Sequence, residues 1–544
     1  MSSASVIVGA YAIAMVLFAV WARRDLGDDD ESYFLAGRSL SGPILLVTMA
    51  ATNFSAFTVY GSSGVSYRGG LSFLPIMAFG TGFMAVSLYL LGKKVRIRSA
   101  EHGAMTAPEL ILGQTGSKEA QFTMATVLIL ATIPYLALQP RAAGIAVSAL
   151  FGVEDWVGAV LVTILVVAYT LTGGLKAVVR TDAAQGAIAL GLLWLGLAMV
   201  ISDAGGLESA MNSLADSEEK SWLLSREGGK YTLLVWTSMM LLWLLADPMF
   251  PQLFQRLCAA DSEEAIGRMA TLYPAVAWLA FIPPILIGTL GHLDYPELSR
   301  GESDDILPML IVDAGGEWLG GLVVVAGLAA LMSTMDSQLL ATGSLFTRDI
   351  LQSESKDGFG SRQAVIIGLS LLGLMLSLWS NVTILELGML AFAMYAVIFP
   401  SVFIASYSDS LDGRAVIASI VAGELVVLLA IFSPGSFEGW WVRPVGPAMA
   451  TVVLPSLAAA LLALAVGQYA FAPENRRIGE LGVDFSIGPH MLGLVAVFVL
   501  AQDFWWWEEK GLALGLPIWI WWAVILSVVQ TAIMANWTGK EDPR

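Results

Sequence analysis

Hydrophobic residues along this chain fall into fifteen long runs separated by polar loops. The runs lie at about residues 5–22, 42–65, 71–92, 120–147, 155–172, 176–201, 231–256, 270–292, 318–341, 363–379, 382–405, 413–432, 445–468, 488–503 and 514–536. A helix needs about 20 apolar residues, at 1.5 Å each, to cross the hydrocarbon of a bilayer. The pattern therefore predicts an all-α polytopic membrane protein with about 13–15 transmembrane helices. The first run lacks a basic leader and a convincing small-residue cleavage site, so it reads as a retained helix.

The loops predict an orientation. Arg23-Arg24, Lys93-Lys94 with Arg96 and Arg98, Lys176 with Arg180, Arg256 with Arg268, Arg348 with Arg362, and Arg476-Arg477 all follow odd-numbered runs. Even-numbered runs are followed by acidic or nearly neutral loops such as 202–228 and 293–315. Basic loops stay on the cytoplasmic side, which places the N-terminus outside and the C-terminus inside the cell membrane.

Two runs are interrupted. The second carries polar and small residues through its middle, from Thr48 to Phe57 and on to Gly61 and Gly64. The seventh contains Asp247-Pro248 and then Pro251. Proline lacks the amide proton and clashes with the preceding turn, so the seventh helix should break near mid-membrane. The two runs are five apart, and five is odd. A repeated five-helix unit must then be inverted in its second copy, and paired interruptions of this kind point to an inverted-repeat secondary transporter. The expected organisation is an extra N-terminal helix and loop (1–41), a first repeat (42–201), a second, inverted repeat (231–405) and extra C-terminal helices (413–544).

Composition narrows the chemistry. Of 544 residues 57% are hydrophobic and 13% charged; the mean hydropathy is +0.73, outside the range of soluble domains. The single cysteine, Cys258, excludes an intrachain disulfide, and His102, His292 and His490 have no metal-ligand spacing. No cofactor and no enzymatic activity are expected. A net charge of −17 argues against nucleic acid as a partner. The acids concentrate in loops such as Asp28–Glu31, Asp216–Glu219 and Glu302–Asp305. They read as solvated loops or as the surface of a protein from a high-salt host.

The ninth run holds the clearest candidate chemistry. Ala330, Ser333, Thr334 and Ser337 recur at i, i+3, i+4 and i+7 and share one helical face. Hydroxyl and carbonyl oxygens are hard ligands, suited to a small hard cation such as Na⁺. The bland alternative is that these hydroxyls bond back to the preceding turn.

Four segments, in order, resemble the sodium:solute symporter family: Tyr33 to Leu40, Gly173-Gly174 through Thr181-Asp182 to Gln185, Pro251 to Ser262, and Ala330 to Leu340. The likeness runs from about residue 30 to 400 and is nearest to the proline- and pantothenate-type members. It implies the inverted five-plus-five fold shared with the leucine transporter. It also implies a sodium site made by the carbonyls of Ala51, Phe54 and Ala330 with the hydroxyls of Ser333 and Thr334, and a place for Asp182 on the sodium path. The resemblance places Trp243 beside the solute; the breaks and polar residues add Asn53, Ser55, Phe57, Tyr135, Gln139 and Asp247. The expected partners are Na⁺, a small organic solute and the bilayer.

The chain departs from the proline-type pattern at two positions. Asn53 stands where an aspartate is expected, and Asp247 where a tyrosine is expected. A carboxylate at mid-membrane is costly and marks function. Asp247 is read as a receptor for a solute ammonium, a carrier of a coupling proton, a partner of Arg141, or a cap on the amides after Pro248. Asp182 is read either on the sodium path or as a solvated acid paired with Arg180. Asp336 lies too deep for the surface and either tunes the cation site or packs on a polar neighbour. The function expected is sodium-coupled import of a small solute, with a carboxylate-bearing one preferred; proton coupling through Asp247 and solute sensing are the alternatives.

Overall fold

The computed structural model describes residues 3–22, 30–171, 174–226, 231–352, 358–379, 383–472, 487–507, 509 and 511–540. Arg23, Arg24, Asp28, Asp29, Gly173, Arg476 and Arg477 lie outside the described residues.

Each hydrophobic run forms helix. In chain order the helices are α1 (Ser3–Ala22), α2 (Asp30–Leu35), α3 (Gly42–Asn53), α4 (Ser62–Gly69), α5 (Phe73–Phe83), α6 (Ala85–His102), α7 (Ala107–Thr115), α8 (Lys118–Phe151), α9 (Asp155–Thr170), α10 (Leu175–Asp203), α11 (Leu207–Ala215), α12 (Leu233–Ala246), α13 (Pro251–Ala259) and α14 (Glu263–Leu290). They continue with α15 (Ile306–Ser344), α16 (Gly358–Trp379), α17 (Ile384–Tyr407), α18 (Gly413–Phe432), α19 (Val453–Phe471), α20 (Pro489–Leu500) and α21 (Ile518–Lys540). Among the described residues ten helices are long and apolar enough to cross a membrane, and two bent pairs would add two crossings. Gly316, at φ 61, kinks α15 just before the predicted start of its run at Trp318.

The bent pairs are the two interrupted runs. The axis turns by 62° between α3 and α4, and by 58° between α12 and α13. Phe54 leaves the helical region at ψ 86, and a π-helical turn, Phe57–Gly61, leads into α4. In the second pair Pro251 opens α13, where its missing amide proton costs nothing. The two pairs run antiparallel. Leu40, just ahead of α3, pairs with the end of α13: its N–H donates to the Ala259 carbonyl at 3.1 Å and its carbonyl accepts from Asp261 at 3.0 Å. At the far end Gly69 packs on Tyr231, just ahead of α12. The breaks meet midway, where Asn53 Nδ2 donates to Asp247 Oδ2 at 3.2 Å. The inversion deduced from an odd spacing is thus visible in the pairing.

Basic residues gather at the end of the bundle that holds Leu40. There Arg38 donates to the Cys258 carbonyl, Arg96 to the Ala260 carbonyl and Arg348 to Glu109, while Arg98 pairs with Asp409. Thr538 near the end of α21 packs at the same end, beside Gly267 and Thr271 of α14. Ala4 of α1 packs instead on Gly321, toward the other end.

The fourteenth run is shorter than expected. α20 has twelve residues, about 18 Å at the helical rise. Beyond its end Asp503 turns at φ 35, and its carboxylate meets the Arg226 guanidinium, one contact being 3.1 Å. The guanidinium lies 4.2 Å from the ring centroids of both Trp236 and Trp519. This clamp ties the C-terminal helices to α12.

Candidate functional site

The break after α3 exposes carbonyls to the hydroxyl face of α15. Ser333 Oγ donates to the Ala51 carbonyl at 3.1 Å. Thr334 Oγ1 donates to the Thr52 carbonyl at 3.0 Å and to Ala330 at 3.3 Å. Four of the five residues expected around sodium, Ala51, Ala330, Ser333 and Thr334, are thereby brought together. Phe54 sits at the break with its ring against Tyr273 and Phe281; it lines, with Ala51 and Ala330, a cavity of about 290 Å³. Only the Thr334 bond to Ala330 is the back-bond to the preceding turn that the bland reading supposed. The bonds to Ala51 and Thr52 cross to another helix.

Directly beside this cluster lies an ion pair that spacing did not announce. Asp182 is fully buried and not solvated. Its Oδ1 accepts from Ser333 Oγ at 2.5 Å, and its Oδ2 from Thr48 at 2.7 Å, Thr52 at 3.0 Å and Arg256 Nη2 at 2.6 Å. The pairing with Arg180 is therefore corrected. Arg180 lies over the Trp21 ring, whereas α10 turns Asp182 inward to α3 and α15. Arg256, read as a loop charge at the membrane surface, is also fully buried; it donates to Thr48, to the Gln252 carbonyl and to Ser337 as well. The short half-helix α13, starting at mid-membrane, places its sixth residue deep inside the bundle. Asp336 is fully buried within electrostatic reach of both charges. The oxygen cluster thus has a buried ion pair next to it, with a further buried acid, Asp336, close by.

On the other side of the breaks, Asn53 Nδ2 donates to Asp247 and, at 2.9 Å, to Tyr273. The second oxygen of Asp247 and the indole nitrogen of Trp243 are buried without hydrogen-bond partners. Neither other structural reading of Asp247 holds. Among the described residues its one side-chain hydrogen bond is from Asn53, so it neither caps the amides after Pro248 nor pairs with Arg141. Among the described residues no cation pairs with Asp247. The ring of Phe392 lies 5.1, 5.2, 5.3 and 5.6 Å from those of Tyr135, Trp243, Phe250 and Phe57. Ser55 and Gln139 have local duties: Ser55 Oγ accepts from Phe57 N–H at 3.1 Å, and Gln139 Oε1 from Ala56 N–H at 3.2 Å. They satisfy amides freed by the break.

Thr52, Arg256, Phe250, Tyr273 and Phe392 were missed as site residues. Arg256 carried a signal, since an arginine within an apolar run is rarely idle. Phe392 carried none, being one apolar residue in an apolar helix.

An inverted pair of broken helices with an oxygen cluster at their junction defines a secondary transporter. The sequence profile of the Sodium:solute symporter family matches residues 33–423, and the chain belongs to that family. It is a membrane transporter and not an enzyme. Similar proteins include the sodium/pantothenate symporters of Haemophilus influenzae (26% identity over 370 residues, 68% of this chain and 75% of that one) and Escherichia coli (25% over 470, 84% and 94%). The osmoregulated proline transporter of Bacillus subtilis is 27% identical over 437 residues, 78% of this chain and 87% of that one. A substrate-bound, outward-open Na⁺-coupled sialic acid symporter superposes with a TM-score of 0.67 at 19% identity, over 87% of this chain and 99% of that chain. The fold is the inverted five-plus-five arrangement of the leucine transporter, with additional helices at both ends.

Proposed function

We propose that the chain imports a small organic solute together with Na⁺ by alternating access. The observation that carries this reading is the meeting of Ser333 and Thr334 with the carbonyls at the first break. A helix break frees carbonyls that an intact helix would use, and hydroxyls that now donate to them can turn their lone pairs to an ion. Na⁺ would bind among Ala51, Phe54, Ala330, Ser333 and Thr334, with Asp182 on its route. The solute would bind beside Asn53, Phe57, Tyr135, Trp243 and Asp247. The two repeats, 42–201 and 231–405, would rock about that junction.

Basic residues gathered at the end that holds Leu40 support a cytoplasmic C-terminus and an external N-terminus in the cell membrane. The acidic balance fits a high-salt host. One Na⁺ crossing ~100 mV gains about 2.3 kcal/mol, and a tenfold gradient adds about 1.4. Their sum supports several-hundred-fold accumulation of a neutral or zwitterionic solute.

A second reading, proton coupling, is favoured by one observation: the unpartnered oxygen of buried Asp247. Uptake into proteoliposomes of labelled proline, pantothenate, acetate, pyruvate and glucose, with and without an inward Na⁺ gradient, decides between them. Na⁺-dependent accumulation that Ser333→Ala with Thr334→Ala abolishes supports the first reading. Uptake that ignores Na⁺ and follows an imposed pH gradient overturns it.

A further inference from the structure

The unusual feature of the solute side is an acid without a counter-ion, placed next to a wall of rings. Asp247 is 3% exposed and Trp243 2%. Asp247 stands one turn beyond Trp243, so the two side chains share a face of the chain entering the break. One carboxylate oxygen is held by Asn53; the other has no partner. The buried arginines among the described residues are engaged elsewhere: Arg256 with Asp182, Arg226 with Asp503, and Arg362 over the Tyr33 ring. A carboxylate taken out of water without a cation is strongly unfavourable, and a bound cation relieves that penalty.

The neighbouring rings indicate what kind of cation. Phe57, Trp243, Tyr135 and Phe250 surround Phe392. Aromatic faces attract a positive nitrogen and tolerate alkyl groups on it, and rings with one acid are how proteins hold methylated ammonium groups. A primary ammonium brings three N–H donors, each needing an acceptor. Asp247 offers one free oxygen, and the rings offer no comparable acceptor. A secondary to quaternary ammonium needs fewer hydrogen bonds and more apolar contact. The Trp243 indole N–H is a free donor one turn away, suited to a carboxylate on the same solute. An acid without a nitrogen would place its charge against that of Asp247.

We infer that the solute carries an N-alkylated cationic nitrogen, seated between Asp247 and the rings of Trp243 and Phe392, with a carboxylate directed to the Trp243 indole. This rests on the reading of the junction as the solute site, and it deepens that reading. An anion without a cationic nitrogen, such as pantothenate or pyruvate, is disfavoured by the same geometry.

The test measures binding apart from transport. Purified full-length protein in NaCl is heated with proline, N,N-dimethylglycine and glycine betaine on one side, and with pantothenate, pyruvate and glucose on the other. At least one of the first three should raise Tm and bind measurably by calorimetry. Asp247→Asn should weaken that binding at least tenfold, Trp243→Leu likewise, and Trp243→Phe less than Trp243→Leu because it keeps a ring. The inference is overturned if only the second group binds, if no member of the first group binds, or if Asp247→Asn binds the alkylated ammonium as tightly as the unmodified chain. Binding that persists unchanged in KCl would sink the sodium reading and leave the inference standing. Na⁺-driven uptake of pyruvate alone would do the reverse.

Discussion

Arg256 Nη2 donates to Asp182 Oδ2 across 2.6 Å, and neither side chain has any exposed surface. The same guanidinium reaches Thr48 and Ser337, so one residue of α13 ties α3, α10 and α15 together behind the candidate ion site. Removing one member of such a pair leaves the other charge buried and alone, which costs about 3–5 kcal/mol. Asp182→Asn and Arg256→Gln should each lower Tm in detergent. The double variant should be more stable than the sum of the two losses implies. Additive losses in that cycle would show that the pair is not coupled.

Ser333 makes bonds to both Asp182 and the Ala51 carbonyl. Ser333→Ala should raise the Na⁺ concentration for half-maximal uptake about tenfold or more, the equivalent of about 1.4 kcal/mol. Ser370→Ala is the comparison, because among the described residues Ser370 bonds only to the Ile366 carbonyl of its own helix. Equal effects from the two variants would remove Ser333 from the ion site.

The end of the bundle opposite the basic residues is joined by Asp304, which accepts from Arg68 at 3.0 Å and from the Ile384 N–H at 3.0 Å. Gly64 lies against it: a Cβ there would fall 2.0 Å from Asp304 Oδ1 and 2.9 Å from its Cα. Gly64→Ala should cost about 1–3 kcal/mol and should open this end. Maleimide labelling of an introduced Ser62→Cys should speed up. The native Cys258 is buried and should give little background.

The Arg226 clamp predicts a defect in the C-terminal helices. Arg226→Ala removes two cation–ring contacts and leaves Asp503 buried without its partner. A loss of about 3–5 kcal/mol is expected, read as a lower Tm and faster proteolysis between α20 and α21, with the Na⁺ dependence of residual uptake unchanged. A shifted Na⁺ dependence would contradict a purely structural clamp.

Tyr295, in the loop after α14, donates to the Asp313 carboxylate. That bond, then burial and then the neighbouring negative charges push its phenol up to about 12 from 10.0. A raised phenol pKa means that the folded chain favours the protonated ring. Its contribution to stability is complete below pH 10 and is lost as the pH rises through about 12. Difference absorbance between the unmodified chain and Tyr295→Phe should show a single tyrosine ionising late. A transition at pH 10 would contradict the bond.

Most of the fold was legible because a bilayer imposes its own dimensions on sequence. A run near 20 apolar residues has few structural choices there, so the helices and both breaks followed from hydropathy and proline. The i, i+3, i+4, i+7 spacing likewise put Ala330, Ser333, Thr334 and Ser337 on one face. What periodicity along one helix cannot express is which other helix stands opposite. The partners of Asp182 lie 74 to 151 residues away in sequence. Asn53 meets Asp247 across 194 residues. Only the antiparallel packing of two half-helices carried Arg256 from the apparent surface into the core, and only the crossing of α17 put Phe392 among the rings. The sequence by itself determined the helices, the breaks and the hydroxyl face, since these depend on local sterics and on exclusion of water. Tertiary structure decided the buried ion pair and the uncompensated acid, since charges in the interior take their meaning from neighbours that chain order does not reveal.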